Sequence, residues 1–391
     1  MFMTTFGLQL VVASVYAIIF PSYMSLFFFS LPAAYLLSTT SVHMPFARST
    51  TQLNLTLQEV NYSLVERQES LTGYISVLDN TQLGFRAMRC DHSLLGGEWT
   101  RRPPNYNPKV SDPIYAVFTM LEAVRLVEPG SGLTRREDRD SNALVMYEDN
   151  HPLRLNRTTP ASLIQHGIET TVVEVDPVVY KFALQHFNFP RNHTAVIDDA
   201  ITFVETARRE AKQYDYIIHD VFTGGVEPVK LFTWEFMQGL DALLKDDGVI
   251  AINYAGDLSL PAAGLVVRTI RWVFPECRIF RENGDSEEST ENEPLDFTNM
   301  VIFCKKKQGT PLKFRPSDEN DYLGSQLREL YMYPRREIGP ETFDMANYPT
   351  VGQQILEVGK TSILETYHTQ SAIGHWNIMR SVLPARVWEN F

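Results

Sequence analysis

From about residue 143 the sequence alternates between runs of strand length and runs of helix length, and the rhythm holds to about residue 305. Residues 143–146, 170–176, 194–198, 214–221 and 249–254 are apolar or β-branched and read as strands. Residues 158–166, 177–187, 200–212, 231–244 and 260–273 read as the helices between them. Start and stop signals support the pattern. Pro160 and Pro177 sit in first helical turns, and Asp247-Gly248 closes a helix. Residues 277–281 and 299–305 read as a closing antiparallel pair around an acidic stretch, 283–296. Such alternation implies a largely parallel sheet covered by helices on both faces. Sheets of this kind place ligands at the C-terminal ends of their strands.

Carboxylates stand at those ends. Glu174 closes the second strand, where two carboxylate oxygens can accept both hydroxyls of a ribose. The competing role, a charge at a helix N-terminus, suits Asp176 better. Asp198 and Asp199 follow the third strand, where a carboxylate can take a hydrogen bond from an adenine amino group. Helix capping competes there, evenly for Asp198, while Asp199 reads as the ligand residue. Asp220 ends the fourth strand before Val221-Phe222-Thr223-Gly224-Gly225, a loop able to reach over a ligand. A carboxylate there can orient or deprotonate an amine, with capping again as the competitor. His219 falls on the opposite face and reads as a core histidine.

The regions on either side differ. No Asp, Glu, Lys or Arg precedes Arg48, and residues 6–37 are almost continuously apolar. That run exceeds the roughly 20 residues a span needs, so residues 1–47 are expected to be one or two transmembrane segments interrupted at Pro21 and Pro32. The sequons at Asn54 and Asn61 follow closely and would carry glycans on a lumenal side. Residues 48–130 hold a linker and a β-hairpin, 71–80 with 84–90, followed by a helix over 114–127. The alternating unit is placed at 131–308, and 309–391 is expected to be a helical extension. The 391 residues leave room for two or three such units. A net charge of -12 argues against a dedicated nucleic-acid binder. Cys90, Cys277 and Cys304 are too few for a disulfide framework and lack the spacing of a zinc site.

One place breaks the pattern. A nucleotide-binding sheet ordinarily has glycines in its first strand-to-helix turn, so that backbone can approach the ligand. Residues 146–157 contain none, and carry charges and Pro152 instead.

Several segments together resemble the spermidine/spermine synthase family, its membrane-linked fungal members in particular. They are Glu69-Ser70-Leu71-Thr72-Gly73-Tyr74 with its hairpin, Val173-Glu174-Val175-Asp176-Pro177, Asp198-Asp199, Tyr214 to Asp220, and Phe232-Thr233-Trp234-Glu235-Phe236. The resemblance runs over residues 68–308. It implies a Rossmann-like, class I methyltransferase-type α/β sheet preceded by a small β-hairpin domain. It implies a transferase that moves an aminopropyl group from decarboxylated S-adenosylmethionine to a small amine acceptor, without a metal. By match, Glu174 would hold the ribose, Asp199 the adenine, and Asp220 would be the catalytic acid, with Asp198 a further cofactor-binding candidate beside Asp199. Members of the family often form homodimers. Two departures stand against the match. The turn lacks its glycines, with the family pattern resuming at Thr158-Thr159-Pro160-Ala161, as a mis-set exon boundary would leave it. After Asp220, Thr223-Gly224 replaces the family's second Asp and Pro, so a polyamine would lose a partner. The strand-end acids are shared with methyltransferases, which makes an S-adenosylmethionine-dependent methyltransferase the second reading. A membrane protein that keeps the fold without catalysis is the third.

Overall fold

The computed structural model describes Val12, Val15 and residues 46–390, apart from 102–106, 108, 131–135, 148–157, 222–227, 283–296, 307–310 and 349–354. The chain first forms α1 (Ala47–Gln58), whose buried Leu53 and Leu57 lie one turn apart and fix its packed face. An antiparallel four-stranded sheet follows, in the order β1 (Tyr62–Glu69), β2 (Tyr74–Asn80), β3 (Phe85–Cys90), β4 (Ser93–Trp99). The expected hairpin is its centre, β2 with β3. The two outer strands are additions to the sequence reading. The expected helix over 114–127 is shorter and tighter, α2 (Val117–Leu121) running into a 3₁₀ turn at Glu122–Leu126.

The alternating region forms β5 (Asn142–Tyr147), α3 (Thr158–Gln165), β6 (Glu169–Glu174), α4 (Pro177–His186), β7 (Thr194–Ile197), α5 (Ala200–Arg209), β8 (Tyr214–His219), α6 (Trp234–Leu243), β9 (Leu244–Asp257), α7 (Pro261–Val273), β10 (Glu276–Arg281) and β11 (Phe297–Lys305). With β12 (Arg336–Ile338) they make an eight-stranded mixed sheet in the order β12-β10-β11-β9-β8-β5-β6-β7. The strands from β9 to β7 run parallel, and β11 pairs antiparallel with both β9 and β10. The chain order reverses between β5 and β8, which makes that point the ligand crevice of an open α/β sheet.

Cys277 and Cys304 face each other across β10 and β11 and form a disulfide, a single bridge where the sequence offered no framework. Residues beyond the sheet add α8 (Glu319–Tyr322), α9 (Gln326–Tyr331), α10 (Ser362–Glu365), α11 (His368–Val382) and α12 (Ala385–Glu389).

Among the described residues no helix is long and apolar enough to cross a membrane. The expected transmembrane segment and the membrane placement drawn from it therefore find no support among those residues, and neither is carried further. The 12-residue α1 is far short of a span and turns Leu53 and Leu57 into the core. The apolar run over 6–37 lies outside the described residues except at Val12 and Val15.

Two apolar cores sandwich the large sheet. Leu144, Met146, Val173, Ile217, Ile250 and Ile252 pack on the face covered by α5, α6 and α7. Val145, Tyr147, Val172, Ile218 and Ala251 pack on the other, together with Ile75, Val77 and Met88 of the small sheet. Strict alternation of side chains therefore decides which residues look toward the small sheet.

Candidate active site

Register places the strand-end residues in one row. Tyr147 stands opposite Glu174, Met146 opposite His219, and His219 opposite Ile252. The residues one step further, Glu174, Tyr147, Asp220 and Asn253, thus lie side by side across β6, β5, β8 and β9. By alternation all four face the small four-stranded sheet. Strands are spaced about 4.8 Å apart, so Glu174 and Asp220, two strands distant, are separated by roughly 10 Å. Backbone bonds lock the ends of the row. The Asp220 N–H donates to the Met146 carbonyl at 3.2 Å, and the Asp198 N–H to the Glu174 carbonyl at 3.2 Å.

Asp220 is 1% exposed. Its Oδ1 accepts from Nδ2 of Asn253 at 2.7 Å, a buried side-chain bond between neighbouring strand ends. The loop after it, 222–227, lies outside the described residues, as does the stretch 148–157 that holds most of the glycine-free turn. Glu174 is buried, and its Oε1 accepts the Asp176 N–H at 2.8 Å.

Asp176 is the N-cap of α4, as its sequence position implied, accepting from the amides of Val178 at 2.7 Å and Val179 at 3.2 Å. It also does what the sequence did not foretell. Ser70 and Thr72 donate their hydroxyls to its two oxygens at 2.5 Å each, which pins the start of the β2 hairpin to the crevice. Gly73 makes this possible. Its φ of +152 is one other residues rarely adopt, and a Cβ there would collide with the Asp91 carboxylate and the Cys90 thiol.

The Asp198–Asp199 pair divides its work. Asp199 is the N-cap of α5, with Oδ1 accepting from the Ile201 N–H at 2.7 Å and Oδ2 from the Thr202 hydroxyl at 3.1 Å. The ligand role read for Asp199 meets a capping role in the structure. Asp198 is exposed, with Oδ1 accepting from the Asp199 N–H at 2.9 Å.

His219 faces away from the row, as alternation demanded. Its ring packs against Phe232 and Phe236, with centroids 5.2 Å and 5.9 Å away. Burial pushes its imidazole down to about 4, against backbone hydrogen bonding near Leu231 that works the other way. It is neutral at pH 7 and forms part of the core.

The tail borders the same face. His375 of α11 is buried with its ring tilted against Phe297, centroids 5.7 Å apart, and Phe297 is the register partner of Asp257 on β9. Among the described residues no group of His, Cys, Asp and Glu could hold a metal ion.

Relatives put this geometry in context. The chain is 52% identical over 392 residues to an N-terminal histidine N-methyltransferase of Emericella nidulans, covering 98% of this chain and 68% of the relative. The chain belongs to this histidine N-methyltransferase family. A spermine/spermidine synthase domain matches residues 161–269, inside the large sheet. A polyamine aminopropyltransferase of Vibrio vulnificus is 34% identical over 84 residues, which is 21% of this chain and 28% of that protein. A probable spermidine synthase from Corynebacterium glutamicum shares the fold, with a TM-score of 0.51 at 14% identity over 75% of this chain and 95% of its own.

The likeness to spermidine synthases is thus one of domain and fold. The expected aminopropyl transfer, its decarboxylated donor and a place in polyamine biosynthesis are corrected: kinship along nearly the whole chain is to a methyltransferase, whereas kinship to an aminopropyltransferase covers a fifth. The strand-end acids misled because they serve any adenosyl ligand on such a sheet and carry no information about which group is transferred. As a member of the histidine N-methyltransferase family, the chain is a transferase.

Proposed function

We propose that the chain is an S-adenosylmethionine-dependent N-methyltransferase whose acceptor nitrogen belongs to an N-terminal histidine. The observation that carries this reading is the 52% identity, over 98% of the chain, to a relative of that name. The row of Glu174, Tyr147, Asp220 and Asn253 at the chain-reversal point supports it with a site of the right kind.

When bound, S-adenosylmethionine supplies a methyl group made electrophilic by a sulfonium. Glu174, buried at the end of β6, would accept from the ribose hydroxyls. Asp198, exposed at the end of β7, would accept from the adenine amino group, while Asp199 holds the turn beneath it. Asp220 would orient the acceptor and receive a proton from it. Its burial suits this work, because in a water-poor site a carboxylate interacts more strongly with an N–H than it does in solvent.

The test uses the whole chain with S-adenosylmethionine and a peptide beginning with histidine. The expected result is one added methyl group on the first residue by tandem mass spectrometry, with release of S-adenosylhomocysteine. The same peptide acetylated at its N-terminus, and one with an internal histidine only, report whether the free terminus is required. Asp220→Asn is expected to lower the rate by about 100-fold or more while S-adenosylhomocysteine still binds. Transfer from decarboxylated donor but not from S-adenosylmethionine would refute the reading.

A further inference from the structure

Asn253, like Tyr147, is a residue of the strand-end row that the reading above leaves without a task. It stands between Ile252 and Tyr254, which belong to the opposite core, and is 1% exposed. A carboxamide at such a position is costly unless both its ends are satisfied.

One end is. Nδ2 donates to Asp220 Oδ1 at 2.7 Å. With Asp220 in the proton-accepting role of the reading above, its carboxylate can only accept and so faces the NH₂ end. The other end, Oδ1, is buried and has no hydrogen-bond partner among the described residues. Its register partner on β11 is Val301, whose side chain has nothing to donate. Both atoms belong to one carboxamide, so the orphan oxygen lies beside the Asp220 carboxylate. A buried orphan acceptor is destabilising. Groups of this kind concentrate where a ligand completes them.

We infer that Asn253 is a substrate-orienting residue: its Oδ1 accepts an N–H of the histidine acceptor, while its Nδ2 fixes the Asp220 carboxylate that takes the acceptor's proton. This deepens the proposed function and rests on it. In the transfer, the nitrogen lone pair forms the new N–CH₃ bond. The C–S bond breaks with its electron pair left on sulfur. The proton lost by the acceptor passes to the Asp220 carboxylate. Two neighbouring acceptors, one neutral and one charged, select a nitrogen that carries hydrogen nearby and hold its lone pair toward the donor.

Two variants of the full chain test the inference, with the histidine-leading peptide as substrate. Asn253→Ala removes both functions and is expected to lower kcat about tenfold or more and raise the peptide KM. Its affinity for S-adenosylhomocysteine, by calorimetry, should stay within about twofold, since Asn253 does not touch the donor in this scheme. Asn253→Asp keeps the volume and guards against a folding failure in the first variant. It sets a second carboxylate against Asp220, and two like charges so close cannot both ionise. The acid limb of its kcat/KM profile should move up by about one unit or more. Wild-type turnover in Asn253→Ala, or an Asn253→Asp profile that overlays the wild type, overturns the inference. So does loss of S-adenosylhomocysteine binding in both variants, which would make Asn253 a structural residue. Failure of the proposed function is visible separately, as a wild-type chain that methylates no peptide.

Discussion

A single carboxylate can be read from sequence only as far as its neighbours in sequence allow. Asp176 was legible as a charge at a helix N-terminus, but its bonds to Ser70 and Thr72 cross more than a hundred residues and leave no local trace. Asp198 and Asp199 illustrate the opposite case. Local chemistry allowed either to cap, and the turn geometry gave the cap to the second. Buried charges far from the crevice carry a pH dependence. His166 accepts from Arg125 at 2.9 Å, and burial, then the Arg125 charge, hold its imidazole down to about 3. Burial works to raise the Asp321 carboxyl, but Arg315, the Asp318 amide and Arg125 outweigh it and hold it down to about 2. Both groups bind protons more readily unfolded than folded. Stability is therefore full above about pH 6.5 and falls on acidification, first through His166 and below about pH 4 through Asp321 as well. The combined loss by pH 3 should be on the order of 5 kcal/mol. Urea unfolding across this range checks it, and His166→Gln, which keeps an acceptor without titrating, should flatten the slope between pH 6 and 4. An unchanged slope in that variant would mean that His166 is not the group responsible.

At the scale of elements, the alternating half of the chain was the legible half. Strands β5, β6 and β8 are largely apolar runs buried on both faces, and α4 and α5 start at the acidic caps Asp176 and Asp199, so local pattern and tertiary role coincide there. The small sheet was legible only at β2 and β3. β1 is a polar strand, Tyr-Ser-Leu-Val-Glu-Arg-Gln-Glu, with an irregular register between Leu64 and Glu66, and β4 carries two glycines, so neither shows a clean period of two. The segment after Pro113 was read as one helix, but its polar residues are structural. Glu122 and Arg328, both fully buried, pair at 2.8 Å and tie the 3₁₀ turn to α9. A contact between residues 206 apart has no signature in either segment. The Cys277–Cys304 bridge was missed for the same reason, since counting three cysteines says nothing about register. That bridge closes a loop of 27 residues between β10 and β11. By loop-closure entropy, Cys277→Ser should cost about 3 kcal/mol. The measurement is the denaturation midpoint with and without reductant. Reductant should shift the wild type and leave the variant unmoved, and equal shifts in both would mean that the bridge contributes no stability.

Across the whole molecule, the tail joins parts that the sequence kept separate. Met379, Leu383, Val387 and Trp388 share a core with Leu53 and Leu57 of α1 and with Leu78, Phe85 and Leu94 of the small sheet. At its other end, the tail sets His375 against Phe297 beside the end of β9. It therefore bridges the small sheet to the edge of the large one along the face that carries Glu174, Asp220 and Asn253. What fastens it is Arg89 of β3. This guanidinium is fully buried, donates to the backbone carbonyls of Val387 and Asn390, and is pushed down to about 9 by its burial. The charge of Asp91 and the Ser76 hydroxyl, which accepts from Nε at 2.9 Å, also favour the guanidinium, and the tail adds the two backbone carbonyls. Arg89→Met keeps most of the volume and removes the donors, leaving two carbonyls to find water. The loss should be local, because α12 is a five-residue helix held by this clasp and by the Arg386–Glu59 surface pair. Amide hydrogens of residues 385–390 are expected to exchange about tenfold faster or more, corresponding to roughly 1.5–3 kcal/mol of lost charged hydrogen bonds. Those of β8, inside the large sheet, should keep their wild-type rates. If both regions speed up together, the tail is part of the global folding unit instead of a strap laid over it. If neither changes, the clasp contributes nothing, and the apolar contacts of Val387 and Trp388 alone hold the tail in place.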